Sequence, residues 1–349
     1  MTVVGPDAVL GAPYLAETIT LQPDEEGEVV ATLVHRPAVS PRRGAVLHVH
    51  GFCDYFFHTE YGAWWAERGY DVYAVDLRKY GRSLRPHQTP TYVTDLRAYG
   101  EELDAAWQRI TERDGHDRVV LSGHSTGGLV VAQWAHDRAP SQLCAMVLNA
   151  PWFDLRGPLL MRTVGTFVVD KVGGFVPRRV IPRTVSGLYG RSLHRDHGGE
   201  FDYDLRWKPL ESVPVYAGWL RAVRRAHAEL HRGLAVGVPV VVLSSDRTTS
   251  PRELDEDVYT SDIVLDVEQI RRWSPSVGAR HLTLVTVPGA MHDVVLSRPP
   301  ARRRAYAELG RWLGAYVEGE VVVPEDGAEH YGGADRAPAV GAPGEGDPA

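Results

Sequence analysis

The sequence predicts an α/β fold, in which a mostly parallel sheet carries helices on both faces and an insertion interrupts the pattern. Three observations predict it. Short β-branched runs alternate with stretches of helical periodicity along most of the 349 residues, and that alternation implies a parallel sheet buried on both sides. A Gly-rich turn, Gly123 to Gly127, joins one such run to one such helix. The alternation then stops at Trp152 and resumes near Tyr216.

The elements follow in order. Glu28–His35 and Ala45–His48 read as early strands, and Trp64–Arg68 as part of a helix that ends at Gly69. Asp71–Val75 is the next strand. Leu96, Tyr99, Leu103 and Trp107 recur three or four apart, which predicts a helix over Val93–Glu112. Arg118–Leu121 is a strand, Gly127–His136 a helix, and Ala145–Leu148 a strand closed by Pro151. From Trp152 to about Pro214 the chain is rich in Gly, Pro, Arg and bulky apolar residues, and is read as an inserted cap. A helix over Tyr216–Arg232, a strand over Val238–Leu243, a helix over Val264–Trp273, a strand over Leu282–Val287 and a closing helix over Arg302–Tyr316 complete the body. From about Gly319 the composition turns to Gly, Ala, Pro and acids, too poor in apolar surface to offset the entropy of ordering, so a disordered tail is expected over 319–349.

Composition narrows the function. The chain is 44% hydrophobic and 24% charged, an ordinary globular balance. Residues 318–349 alone account for the formal net charge of −7, so the body is neutral and gives no electrostatic case for a nucleic-acid partner. Cys53 and Cys144 are the only cysteines, which fits a reducing, cytoplasmic setting rather than a disulfide framework. No leader-like segment opens the chain, and no uninterrupted apolar run reaches membrane-spanning length. His194 with His197, and His48 with His50, lack a third ligand at convincing spacing, so no metal is expected. No Gly-rich phosphate-binding motif is present, and no cofactor is expected.

The chemistry gathers around Ser125. Gly123-His124-Ser125-Thr126-Gly127 matches G-x-S-x-G, and its strand-before, helix-after setting is what a nucleophile elbow needs. The sharp turn lifts the hydroxyl above the sheet edge, and the helix N-terminus favours developing negative charge. An oxyanion hole would take one donor from the loop after the Ala45–His48 strand and one from the residue after the nucleophile, which assigns the N–H groups of Phe52 and Thr126. The general base is expected late, just past the last strand, where His292 stands. The acid is expected after the preceding strand, where Asp246 follows Leu243-Ser244-Ser245, with Asp262 and Asp266 as rivals. Cys53 lies near the oxyanion loop but reads as a small buried residue.

These residues together resemble the α/β-hydrolase superfamily, and more closely its monoglyceride lipase, lysophospholipase and serine aminopeptidase branch. The matching segments are His50-Gly51, Asp76-Leu77-Arg78 running to Gly81-Arg82-Ser83, Gly123 to Gly128, Leu243 to Asp246, and Gly289 to His292. The resemblance spans roughly residues 28–316. It implies an eight-stranded sheet, a cap near 152–214, and hydrolysis of an ester, often lipid-like, without a cofactor. It departs at Lys79-Tyr80-Gly81, where a Gly usually precedes the aromatic residue, and at Phe52-Cys53-Asp54-Tyr55-Phe56-Phe57, which is bulkier than the usual oxyanion loop. Phe52, Tyr55, Phe56 and Phe57, with Trp152 and Phe167 from the cap, are expected to line an apolar pocket above Ser125. The apolar run Leu159–Val169 also leaves room for transient contact with a membrane surface.

Overall fold

The computed structural model describes residues 4–157, 173–183 and 185–319. Phe167 with the whole apolar run Leu159–Val169, and the tail from 320, lie outside the described residues.

Among the described residues nine strands form one sheet: β1 (Val4–Pro6), β2 (Leu15–Thr20), β3 (Val30–Arg36), β4 (Gly44–Val49), β5 (Tyr70–Asp76), β6 (Val119–His124), β7 (Leu143–Asn149), β8 (Pro239–Ser245) and β9 (His281–Val287). Their order is β1-β2-β3-β5-β4-β6-β7-β8-β9. The pairs β1–β2, β2–β3 and β3–β5 are antiparallel, and the rest are parallel. The strand beyond the expected eight is β1, a three-residue edge strand paired to β2. The sequence pattern misses β2 as well, because Glu17 occupies a buried position and breaks the alternation. Glu17 is satisfied there by Arg109 Nε at 2.8 Å and Arg113 at 2.6 Å. Those arginines lie on a π turn, Arg109–Arg113, so the helix predicted over 93–112 is three pieces: a 3₁₀ turn over Leu96–Tyr99, α2 (Gly100–Gln108) and the π turn.

Each central strand is buried on both faces, and successive side chains serve opposite cores. Leu47, Val75, Leu121, Leu148 and Val242 pack under α2, α3 (Thr126–Arg138) and α5 (Ala217–Arg232). Val46, Ala74, Val120, Val147 and Val241 pack under α1 (Thr59–Glu67) and α8 (Pro299–Tyr316). Between β7 and α5 the described residues include α4 (Leu188–Leu193), and between β8 and β9 lie α6 (Glu256–Thr260) and α7 (Val267–Trp273). Glu318, the last residue before the expected tail, is docked on the body: its buried carboxylate meets Arg68 at 2.7 Å and Arg43 at 3.2 Å. No described helix is long and apolar enough to cross a membrane.

Candidate active site

The parallel strands end on one side of the sheet, and their loops converge there, as crevices form in open α/β sheets. β6 ends at His124, and α3 begins at Thr126. Ser125 between them has φ 52° and ψ −117°, a conformation that residues with a Cβ rarely adopt. The turn is tight enough to require glycine around it. A Cβ on Gly127 would fall 2.3 Å from Val49 O, and one on Gly123 would fall 2.7 Å from Gly127 O.

His292, on the loop after β9, points Nε2 at Ser125 Oγ, 3.1 Å away. Its Nδ1 lies 2.9 Å from Oδ2 of Asp262. A carboxylate can only accept, so Nδ1 carries the proton and Nε2 is left to accept from the serine. Asp262 has no exposed surface, and its Oδ1 accepts from the N–H groups of Val264 at 2.8 Å and Leu265 at 2.7 Å.

Asp246 is therefore not the carboxylate on His292. It does follow β8, but its Oδ1 accepts from Gly289 N at 3.0 Å and so closes the turn after β9. The chain beyond it travels out through α6 and returns, pairing Thr248 with Asp262 as an isolated bridge. Arg156 ties that return to the segment after β7, donating to Ile263 O at 2.7 Å and Thr249 O at 2.6 Å. Asp266, the other rival, caps α7 by accepting from Glu268 N.

Of the expected oxyanion donors, Thr126 directly follows the nucleophile, and Phe52 follows a glycine that packs against it. Thr126 opens α3, so its N–H has no acceptor within the helix. A Cβ on Gly51 would lie 3.2 Å from Ser125 Cβ, so the loop leading to Phe52 runs against the serine. His50 fixes that loop from below. Its Nδ1 donates to Gly51 O at 2.8 Å, and its Nε2 accepts from Leu77 N at 3.1 Å.

The expected aromatic wall is only partly as predicted. Phe52 packs on Trp219 with centroids 4.3 Å apart, and Trp152 on Trp219 at 5.9 Å. Phe56 instead turns down into the core beneath α1, while Tyr55 and Phe57 join Leu193, Tyr203 and Met291 in a separate cluster. Strand-like alternation sends neighbouring rings of this loop in opposite directions. Tyr189 is a ring that the sequence did not single out, and it sits edge-on to His292 at 5.6 Å.

A family model described as serine aminopeptidase, S33, matches residues 40–298. The chain belongs to this family. It is accordingly a serine hydrolase of the α/β-hydrolase fold. Several solved structures share that fold with this S33 hydrolase. A soluble variant of monoglyceride lipase from Saccharomyces cerevisiae, in complex with a substrate analog, is 16% identical with a TM-score of 0.65, covering 89% of this chain and 96% of its own. A monoacylglycerol lipase from Paleococcus ferrophilus is 20% identical with a TM-score of 0.56, covering 81% and 99%. A highly thermostable carboxyl esterase from Bacillus coagulans, in complex with glycerol, is 14% identical with a TM-score of 0.62, covering 86% and 98%. No curated protein matches the chain in sequence.

Beneath the S33 hydrolase's serine and histidine lies a buried polar network. Asp293 receives His58 Nε2 at 2.9 Å and Asn149 Nδ2 at 2.6 Å. Asn149 in turn accepts Ser125 N at 3.0 Å on its main-chain oxygen and Val294 N at 3.0 Å on its side chain. One asparagine thus ties the elbow to the histidine loop. Burial alone would raise the Asp293 carboxyl, but His124, once protonated at low pH, together with His58 and Asn149 holds it well below the usual carboxylate range. Asp54, His58 and Asp293 bring ligand-type atoms within 4.8 Å of one another. The Lys208 ammonium already sits 2.8 Å from Asp54, and Asn149 already serves Asp293.

Burial also holds three histidines neutral. It lowers His48 well below its ordinary value, His124 to about 4 and His227 to about 3. In the unfolded chain each would protonate below pH ~6.5, so the unfolded state binds more protons as pH falls. Their stabilising contribution is complete above that pH and declines toward the folded values. At pH 5 His124 and His227 should each contribute about 2 kcal/mol less than at pH 7.5, and His48 changes in the same direction. Urea melts at the two pH values should show a clearly lower midpoint at pH 5, and equal midpoints would contradict neutral burial of these rings.

Proposed function

We propose that this S33 hydrolase cleaves a carboxylic ester with an apolar acyl group through an acyl-enzyme. The observation that carries the reading is the continuous contact from Ser125 Oγ to His292 Nε2 and from His292 Nδ1 to Asp262. Ser125 Oγ attacks the ester carbonyl carbon while His292 Nε2 takes its proton. Asp262 holds the imidazole in the accepting tautomer and stabilises the imidazolium. The carbonyl oxygen, now anionic, accepts from the N–H groups of Phe52 and Thr126. Collapse expels the alcohol, which leaves with the proton from His292. Water then attacks the acyl-enzyme by the same route in reverse roles and releases the acid. No step calls for a cofactor.

The apolar preference is supported by the surroundings. Trp152 follows β7 and is held beside the elbow, where its N–H donates to Ser125 O at 2.9 Å. With Phe52 and Trp219 it forms an aromatic wall, and the segment 152–214 serves as the cap. The monoglyceride lipase and carboxyl esterase folds that superpose on the chain support the same substrate class.

A fluorophosphonate probe should label the wild-type protein, since labelling requires an activated serine. On p-nitrophenyl esters, kcat/KM should rise from acetate through butyrate. Each buried methylene contributes about 0.8 kcal/mol, nearly fourfold, until the pocket is full. Trp152→Ala should flatten that rise. A flat or falling series in the wild type would remove the apolar pocket, and absence of labelling would remove the serine mechanism.

A further inference from the structure

We propose that Lys208 is a positioning residue for this reaction. Its buried ion pair with Asp54 holds the Phe52 loop in the geometry that oxyanion binding requires. The proposal rests on the esterase reading above.

The loop does not hold that shape by itself. Cys53 has φ 52°, a left-handed conformation for a residue with a Cβ. Such strain costs about 1–3 kcal/mol and persists only where the surroundings over-determine it. Relaxation of Cys53 to negative φ would redirect the chain as it leaves Phe52, and so shift that residue, whose own N–H lies in the preceding peptide. Three successive residues of the loop are held from one stretch of the cap, residues 204–213. The Cys53 thiol faces Ser212 and the Val213 main chain. Asp54 Oδ1 meets Lys208 Nζ at 2.8 Å. The Tyr55 hydroxyl accepts from Asp204 N at 2.7 Å.

Lys208 is the charged member of this clamp, and its placement is unusual for a lysine. Its side chain is 8% exposed and that of Asp54 only 2%. The ammonium lies 5.6 Å from the Phe57 ring, 5.8 Å from Tyr189 and 5.9 Å from Tyr203. Three ring faces and one carboxylate fix a side chain that is otherwise flexible. Burying such a pair adds little stability over apolar residues of the same shape, because desolvation consumes the attraction. Directional control is what the charges add here. The Tyr189 ring that borders the ammonium also stands edge-on to His292, so one cation braces the oxyanion loop and a neighbour of the base. His50 holds the same loop from the core side, leaving Lys208 to hold it from the cap.

The test compares Lys208→Met, Asp54→Asn and the double variant with wild type. It uses p-nitrophenyl butyrate, and kcat is taken per active site titrated by fluorophosphonate. An ångström-scale displacement of an oxyanion donor lowers kcat ~10–100-fold. Each single variant should show that loss with KM within about threefold of wild type. Inhibition by a butyl trifluoromethyl ketone, whose serine adduct places an oxyanion in the hole, should weaken by the same factor. The double variant should be no worse than the singles, because one interaction is lost in all three. If Lys208→Met does not yield titratable sites, Asp54→Asn, which preserves shape, carries the same reading. A kcat within threefold of wild type, a loss confined to KM, or additive losses in the double variant would each overturn the assignment. A wild type that is labelled yet turns over no ester would instead remove the esterase reading on which the assignment depends.

Discussion

Replacing Ser125 with alanine should abolish covalent labelling and lower ester turnover by about six orders of magnitude, with only the rate acceleration due to binding and the oxyanion donors remaining. The folded state should survive. Ala retains the Cβ that Ser125 already accommodates at φ 52°, and the change removes a single contact to His292. Urea midpoints should therefore stay close to wild type. Ser125→Gly supplies a second readout, because glycine adopts that backbone conformation without strain. It should be equally inactive but more stable than Ser125→Ala, as expected of an elbow that stores strain at its nucleophile. Wild-type turnover from folded Ser125→Ala would refute the assignment, and equal stability of the two variants would refute the strain.

Asp262→Asn should lower kcat by about four orders of magnitude while leaving the fold intact. The direction of the asparagine is dictated by its neighbours. Val264 N and Leu265 N both need an acceptor where Oδ1 stands, so the amide oxygen must take that place. The NH2 group is then forced toward His292 Nδ1. A donor facing Nδ1 requires that nitrogen to be unprotonated, which puts the proton on Nε2, where it cannot accept from Ser125. Asp246→Asn keeps an oxygen for Gly289 N and should stay within about tenfold of wild type, since its role is to close a turn. A loss of similar size in Asp246→Asn, with Asp262→Asn near wild type, would reverse the two roles.

The contrast between these carboxylates shows what the sequence could disclose. The serine was legible because the elbow is local: a β-branched run, two close-packed glycines and a helix start all lie within Val119–Ala132. His292 was legible from chain order. Asp262 was named only as a rival, because its approach depends on a loop that leaves the sheet, makes α6 and comes back, and no short-range signal encodes the return. Its own neighbours did offer a clue. An aspartate followed closely by Val264 and Leu265, with Asp266 opening a helix, suits a turn that buries its acid. β2 was invisible for a related reason, since Glu17 is acceptable in a buried position only when Arg109 and Arg113 arrive from far along the chain. Of the rings near the site, Phe52 and Trp152 are singled out by the sequence, whereas Tyr189, like the neighbouring Lys208, comes from a segment whose irregular composition gives no periodicity to read.

The loop that supplies Asp262 has a thermal consequence. Ser125 stands on the buried sheet and His292 directly follows it, but Asp262 belongs to an excursion whose outer residues, from Arg252 to Glu256, are exposed. Such excursions open as sub-global units at lower free energy than the sheet beneath them. On heating, the imidazole should therefore lose its partner before the protein melts, and catalytic failure and denaturation become separate events on one temperature axis. Initial rates recorded during a thermal ramp should fall several degrees before the circular dichroism transition and recover on cooling from that interval. Arg156, which staples the excursion through Thr249 O and Ile263 O, should set the width of the gap, so Arg156→Ala should widen it with little change in the melting point. If activity and ellipticity disappear together in both proteins, the excursion is as firmly held as the sheet.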